Sequence, residues 1–281
     1  NVMRVQGTLF RKYILIFVAF IGSVLTVHGM IDLYISYREN KAALINLQKE
    51  KALGAAHQIE HFIRQIEWQV GWASHPIFVA PEQMAEQRRL NFIWLLRQAP
   101  SVSEITFLDA TGKEQLRVSR LGVDEMRSQK DHSTEPKFLQ AVTGKTYFGP
   151  VYFLKHSEPY MTIALKWPGQ SANVSVAELN LKLVWDVVSQ IKIGQRGYAY
   201  VVDSSGTLIA HPDISLVLQN TNLSRLPQVR IAVSRMRDPG SQESDVGIGR
   251  DLHGEPVLAG SHLIGLLGWS VLVEQPLSEA Y

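Results

Sequence analysis

Residues 105–118 read ITFLDATGKEQLRV, and residues 199–212 read AYVVDSSGTLIAHP. Each is an apolar run, an aspartate (Asp109, Asp203), two small residues, a glycine (Gly112, Gly206) and a second strand-like run. Apolar, β-branched and aromatic runs broken by a small polar turn predict a hairpin. An aspartate opening such a turn is placed to cap the turn's own amides, so Asp109 and Asp203 read as structural residues. The two aspartates are 94 positions apart, and a unit repeated at that distance implies two copies of one module rather than one large fold.

Working outward from the first hairpin, Gln83–Gln98 predicts a helix, with Leu90, Ile93, Trp94 and Arg97 at helical spacing. Val102–Leu108 and Glu114–Ser119 are the hairpin strands. Lys137–Val142 is a short helix stopped by Gly144, and Thr146–Leu154, Tyr160–Trp167 and Val174–Leu183 are three more strands. The expectation is a five-stranded antiparallel sheet with helices at its edge, an α+β module. Val184–Ile191 reads as a connecting helix. The second copy then runs through strands Gly197–Asp203 and Thr207–Ala210, a helix at Gln228–Met236, and closing strands near Ser244–Gly249, Val257–Leu263 and Trp269–Gln275. His211-Pro212-Asp213 reads equally well as a site or as a turn after a strand.

Upstream of the first module, Tyr13 to Ile31 (YILIFVAFIGSVLTVHGMI) contains no Asp, Glu, Lys or Arg. As a helix it spans roughly 29 Å, close to a bilayer core of about 30 Å. Tyr34 and Tyr37 suit the far interface, and Arg11 and Lys12 precede the run, so the positive-inside rule keeps the N-terminus in the cytoplasm and exports the chain beyond the helix. The run is too long for a signal-peptide core, and Val27-His28-Gly29-Met30 is a poor cleavage site. Beyond it, residues 38–75 hold no proline, and Ile59, Phe62, Ile63, Ile66 and Val70 fall on one helix face. The membrane helix is therefore expected to continue as a stalk ended by His75-Pro76, able to pair with a second copy.

Across the 281 residues, Lys+Arg is 28 and Asp+Glu 26, a net of +2 that sits in the first dozen residues. Nucleic-acid binders show a far larger basic excess. The absence of cysteine excludes disulfides and thiolate metal sites. Apolar residues at 46% exclude a disordered chain. His57-Gln58-Ile59-Glu60-His61 matches the H-x-x-E-H pattern of metalloproteases, but the pattern is short, lies on a stalk and has no identifiable third ligand. Gly247-Ile248-Gly249 with Gly254 has the wrong spacing for a dinucleotide site, and there is no P-loop or G-x-S-x-G. The reading is no catalytic residue, no cofactor and no metal in this region.

A membrane helix, a long stalk and two modules sharing it resemble the double Cache (tandem PAS-like) extracytoplasmic sensor of bacterial transmembrane receptors. The residues that carry the resemblance are Gly194-Gln195-Arg196-Gly197-Tyr198-Ala199-Tyr200-Val201-Val202-Asp203, Gly206, Leu208-Ile209-Ala210-His211-Pro212-Asp213, Gly268-Trp269, Glu274-Gln275-Pro276 and, in the first module, Tyr147-Phe148-Gly149-Pro150-Val151-Tyr152. The pattern looks most like a sensor histidine kinase, with nucleotide cyclases and chemoreceptors sharing the input module. The resemblance implies a fragment of a longer receptor, whose output machinery would lie beyond Tyr281. Amino-acid-sensing members carry an Arg-x-Trp-Tyr element and a later Tyr-x-Asp. This chain has Lys155-His156-Ser157-Glu158-Pro159-Tyr160 there, so the motif gives an amino-acid ligand no support.

The resemblance also implies a ligand pocket between the first sheet and its covering loops. Alternation along the strands groups Tyr160, Thr162 and Ala164, then Glu178 and Asn180, then Phe148, Pro150 and Tyr152. Arg117 lies on the second strand, and its guanidinium suits a carboxylate. The expected ligand contacts are Arg117, Tyr147, Tyr152, Tyr160, Thr162 and Asn180. The full expectation is a cytoplasmic N-terminus (1–12), a transmembrane helix (13–37), a stalk helix (38–75), a membrane-distal module (76–190) and a membrane-proximal module (191–281). Residues 38–281 are expected outside the inner membrane as a homodimer paired through the stalk. The partners are a small-molecule ligand, a carboxylate for instance, and the membrane, with no nucleic acid. The region itself is read as an input domain of a sensor histidine kinase and not as an enzyme. Two readings of another class are an adhesin or scaffold without signalling output and a metalloprotease built on the H-x-x-E-H stretch, which metal content and the activity of His61→Ala would discriminate.

Overall fold

The computed structural model describes residues 6–74, 83–154, 158–166, 172–238 and 247–280. One α-helix, α1, runs from Gln6 to Ala73, so the segments expected to cross the membrane and to form the stalk are one rod of 68 residues, about 100 Å long. It is the one helix among the described residues long and apolar enough to cross a membrane. From residue 11 to 40 its side chains are exposed throughout. Further on, Ala52, Ala55, Ala56, Ile59, Ile63, Ile66, Val70 and Ala73 form a buried stripe at 3–4 residue spacing. Each buried isoleucine there contributes roughly 1.5–3 kcal/mol of apolar transfer. The expected stop at His75-Pro76 lies outside the described residues.

The first sheet follows helix α2 (Met84–Gln98). Its strands are β1 (Val102–Leu108), β2 (Glu114–Ser119), β3 (Glu125–Met126), β4 (Tyr147–Phe148), β5 (Tyr152–Leu154), β6 (Glu158–Leu165) and β7 (Val174–Asn180), with helix α3 (Pro136–Val142) between β3 and β4. Their order is β3-β2-β1-β7-β6-β4, with β5 also paired to β6. Seven strands replace the expected five for two reasons. β3 is a two-residue edge piece, and Thr146–Leu154 is not one strand: it divides around Gly149-Pro150, where proline offers no ladder amide. The segment expected to extend to Leu183 stops at Asn180, whose Oδ1 accepts from the Lys182 amide at 2.8 Å and turns the chain into α4 (Lys182–Gln190).

The second sheet is built from β8 (Tyr198–Val202), β9 (Leu208–Ala210), β10 (Ile248–Arg250), β11 (Pro256–Ile264) and β12 (Trp269–Pro276), in the order β10-β11-β12-β8-β9. Both sheets place the hairpin at one side and the last strand centrally beside the first. The sequence repeat is thus a repeat of topology. The two turns match as well. Asp109 accepts from the amides of Thr111 (2.9 Å) and Lys113 (3.1 Å), Asp203 from those of Ser205 (2.8 Å) and Thr207 (2.9 Å). Gly112 and Gly206 take φ +82° and +84°, where a Cβ would strike Ser133 and Ser224. Helix α5 (Ile214–Leu218) replaces the turn expected after His211. His211-Pro212-Asp213 supplies its cap, Asp213 accepting from the Ser215 amide at 2.9 Å. Helix α6 (Pro227–Arg237) and the short α7 (Leu277–Ala280) complete the second module, and part of the strand expected at 244–249 lies outside the described residues.

One face of each sheet packs toward α1. Ile105, Phe107, Met161, Ile163, Ala177 and Leu179 of the first sheet share a continuous core with the α1 stripe, α2, α4, and Ala199, Val201, Val271 and Val273 of the second. Each far face has its own small cluster, around Phe138 of α3 in the first module and around Val229 of α6 in the second.

Candidate ligand-binding site

The first sheet's far face is set by register. Thr106 sits opposite Arg117, Glu104 and Thr162 flank Glu178, Tyr160 sits opposite Asn180 and Tyr152, and Tyr147 opposite Ala164. All six expected contacts therefore lie on one face, away from the stalk. Tyr147 and Tyr152 share it only because the strand breaks between them. In an unbroken strand, residues five apart point to opposite sides. Phe148, grouped with Tyr152 by simple alternation, packs into the core instead.

Carboxylates organise this face. Glu178 accepts from the Tyr152 hydroxyl and, at 2.8 Å, from Thr162 Oγ1. Burial pushes its carboxyl above the usual range, and neighbouring Glu104 pushes the same way. Burial and the bond to Glu178 raise the Tyr152 hydroxyl, so the proton stays on the phenol. A second hub is Glu158, which accepts from Asn180 Nδ2 at 2.7 Å and from the Tyr160 hydroxyl at 3.0 Å. Tyr152 and Tyr160 stack with ring centroids 6.1 Å apart. Arg117 stands among three carboxylates: Glu104 at 3.7 Å, Glu114 at 3.6 Å and Glu125 in closest contact. Buried His132 joins the network, its Nδ1 2.6 Å from Glu135 and its Nε2 3.4 Å from Glu114.

The expected residues thus fall into linked groups rather than one ring: Tyr152 and Thr162 on Glu178, Tyr160 and Asn180 on Glu158, Arg117 among its acids, and Tyr147 against the Phe138 cluster. Beside Glu178 and Arg117 a cavity of about 100 Å³ opens, bounded also by Glu104, Glu114, Lys130 and Lys137; of the six expected contacts only Arg117 lines it. Both signs of charge face it. Glu104, Glu114, Lys130 and Lys137 escape a reading of the sequence alone. The available signal was Glu104 and Glu178 as the one charge in each of two otherwise uncharged strands, VSEITFL and VSVAELN.

The corresponding point of the second module is filled. Glu274 accepts from the Tyr200 hydroxyl and from Gln228 Nε2 at 2.7 Å, and Gln228 also donates to the Arg250 carbonyl at 2.6 Å. Burial raises the Glu274 carboxyl to about 7. On the stalk, Glu60 of the H-x-x-E-H stretch is bonded to Arg64 at 2.8 Å, and no group of three His, Asp or Glu among the described residues is arranged to hold a metal ion.

This architecture has relatives. The Cache domain family (dCache_1) matches residues 32–281. The chain belongs to the Cache family. Over 111 residues this Cache chain is 30% identical to the methyl-accepting chemotaxis protein PscA of Pseudomonas syringae pv. tomato, a stretch covering 38% of the chain and 18% of PscA. Its fold is similar to the extracellular domain of mmHK1S-Z2, assigned as a histidine kinase (TM-score 0.63, 18% identity, covering 82% of this chain and 97% of that one). It is also similar to the Campylobacter jejuni chemoreceptor Tlp3 ligand-binding domain in complex with 4-methylisoleucine (TM-score 0.63, 11% identity, 86% and 94% covered). A third is the Pseudomonas aeruginosa chemoreceptor PctC ligand-binding domain in complex with GABA (TM-score 0.58, 18% identity, 83% and 98% covered). The Cache chain is accordingly a ligand-binding sensor domain of the kind found in histidine kinases and chemoreceptors.

Proposed function

We propose that this Cache chain is the exported input region of a membrane receptor and that its ligand is a small molecule carrying both an amine and a carboxylate. The observation that carries the ligand class is the cavity on the far face of the first sheet, where Glu178, Glu104 and Glu114 meet Arg117, Lys130 and Lys137. An amine placed beside Glu178 would ionise that carboxyl and strengthen its bonds from Tyr152 and Thr162. A carboxylate would draw Lys137 or Arg117 from the acids that now hold them, with Lys130 lining the same cavity. The acid-rich surroundings of Arg117 favour a ligand of both signs over a simple carboxylate.

In this reading residues 1–12 are cytoplasmic, 13–37 span the inner membrane and 38–281 lie outside it, with a membrane-distal module at 76–190 and a membrane-proximal one at 191–281. The stalk pairs with a second copy. The exposed side of α1 carries Leu47, Trp68 and Trp72, which supports such pairing. Ligand occupancy biases two arrangements of the distal module against the stalk, and the membrane helix passes the difference to the output, a histidine kinase in the first reading and a cyclase or chemoreceptor signalling domain in the second. Melting of the 281-residue chain in nanodiscs tests the ligand class. Zwitterionic amino compounds are expected to raise the midpoint while their des-amino and decarboxylated analogues do not. Equal shifts with simple carboxylates would overturn it.

A further inference from the structure

The cleft beneath α2 at the β2–β3 edge holds a cation without an anion. Arg88 projects from α2 with its guanidinium carbon 3.6 Å from the centre of the Phe107 ring. Its Nε is buried with no hydrogen-bond partner, and no carboxylate among the described residues lies within ion-pair distance of it. The nearby acids are committed elsewhere: Glu86 and Asp124 both hold Arg89, at 3.2 and 3.5 Å. Burial lowers the Arg88 guanidinium to about 10. A partly desolvated cation resting on an aromatic face retains its in-plane N–H donors, which lie in the geometry that matches a carboxylate.

The space in front of it is a cavity of about 230 Å³ lined by Met84, Phe107, Leu116 and Met126, with Arg127 as a second cation. Phe107 and Leu116 belong to the stalk-side face, so this cavity lies on the other side of the sheet from Glu178. Two flexible methionines can close around an alkyl group of varied shape. An inorganic anion would satisfy the arginine and leave this apolar lining unused.

We propose that this cleft is a second binding site, which takes a small carboxylate with a short apolar tail, the carboxylate held by Arg88 and the tail by Met84, Leu116 and Met126. The site is independent of the ligand reading given above, because none of its residues faces the far side of the sheet.

Isothermal titration of the full 281-residue chain in nanodiscs, against empty nanodiscs, uses hexanoate as the probe with hexan-1-ol, acetate and phosphate as comparisons. Saturable hexanoate binding is expected, at least tenfold tighter than the other three. Arg88→Gln should weaken it at least tenfold. Met126→Glu, at a half-exposed position, should weaken it similarly by placing a like charge at the cavity, and this variant covers the case in which Arg88→Gln melts early. Glu178→Gln should leave hexanoate binding unchanged while altering the far-face ligand. No saturable binding by the unmodified chain, phosphate binding as tight as hexanoate, or full affinity in both variants would overturn the site.

Discussion

Glu178 and Glu274 occupy the same point of two like sheets. Glu104 and Tyr198 each stand five residues before their turn aspartates, Asp109 and Asp203, and the ladders set Glu178 opposite Glu104 and Glu274 opposite Tyr198. In both modules a tyrosine hydroxyl serves the carboxylate, from Tyr152 in one and Tyr200 in the other. The difference is the lid. Gln228 of α6 fills the second site and saturates Glu274, while a cavity remains open beside Glu178. That difference, rather than the shared topology, is why the proposed function puts ligand binding in the first module.

Glu274 should make stability depend on pH. Its folded-state carboxyl titrates near 7, above an ordinary glutamate, so the folded chain binds more protons than the unfolded one between those values. The stabilisation is complete below the unfolded value and is lost as pH rises toward 7. The loss amounts to a few kcal/mol, at roughly 1.4 kcal/mol for each tenfold difference in proton affinity. Denaturant unfolding between pH 5 and 8 is expected to show this decline, and Glu274→Gln to flatten it and raise stability at pH 8. An equal slope in the variant would contradict the assignment.

Tyr152→Phe removes the hydroxyl that serves Glu178 and leaves that buried carboxyl on Thr162 alone. The expected loss is about 1–3 kcal/mol. Tyr160→Phe, whose hydroxyl meets the exposed Glu158, should cost about 1 kcal/mol or less. Unfolding midpoints of the two variants in parallel check the ranking, and equal losses would contradict it.

Two glycines should respond with opposite signs. A Cβ at Gly260 of β11 would lie 2.8 Å from the Lys49 amide nitrogen and 3.0 Å from the Gln48 carbonyl carbon, so Gly260→Ala forces the second sheet off the stalk. A loss of about 1–3 kcal/mol is expected, with faster amide exchange in β11. Gly54, in mid-helix, has nothing within 4 Å of a Cβ, and Gly54→Ala should stabilise by roughly 1 kcal/mol. Matching signs would show that the stalk and second sheet are not packed as described.

Much of this was legible because local rules and tertiary structure agree. The hairpin strands Val102–Leu108 and Glu114–Ser119 fall where their apolar runs end, and the apolar stripe from Ile59 to Val70 is the stripe that is buried. The misreadings share a cause: a polar or cyclic side chain redirected the backbone within an apolar run. Pro150 divided one strand and so brought Tyr147 onto the face of Tyr152. Asn180 ended another strand, and Asp213 started a helix where a turn was expected. The six expected contacts share one face of the sheet, but their charged neighbours were not legible, because Glu104, Glu114 and Lys137 come from separate strands and a helix that only the register brings together.

The most direct test of the far-face site is calorimetric titration of the full chain in nanodiscs with the amino compound that most raises its melting point, repeated in Glu178→Gln and Glu274→Gln. Binding on the far face predicts an event abolished or weakened at least tenfold in Glu178→Gln and retained in Glu274→Gln. Undiminished binding in Glu178→Gln, or loss only in Glu274→Gln, would contradict it.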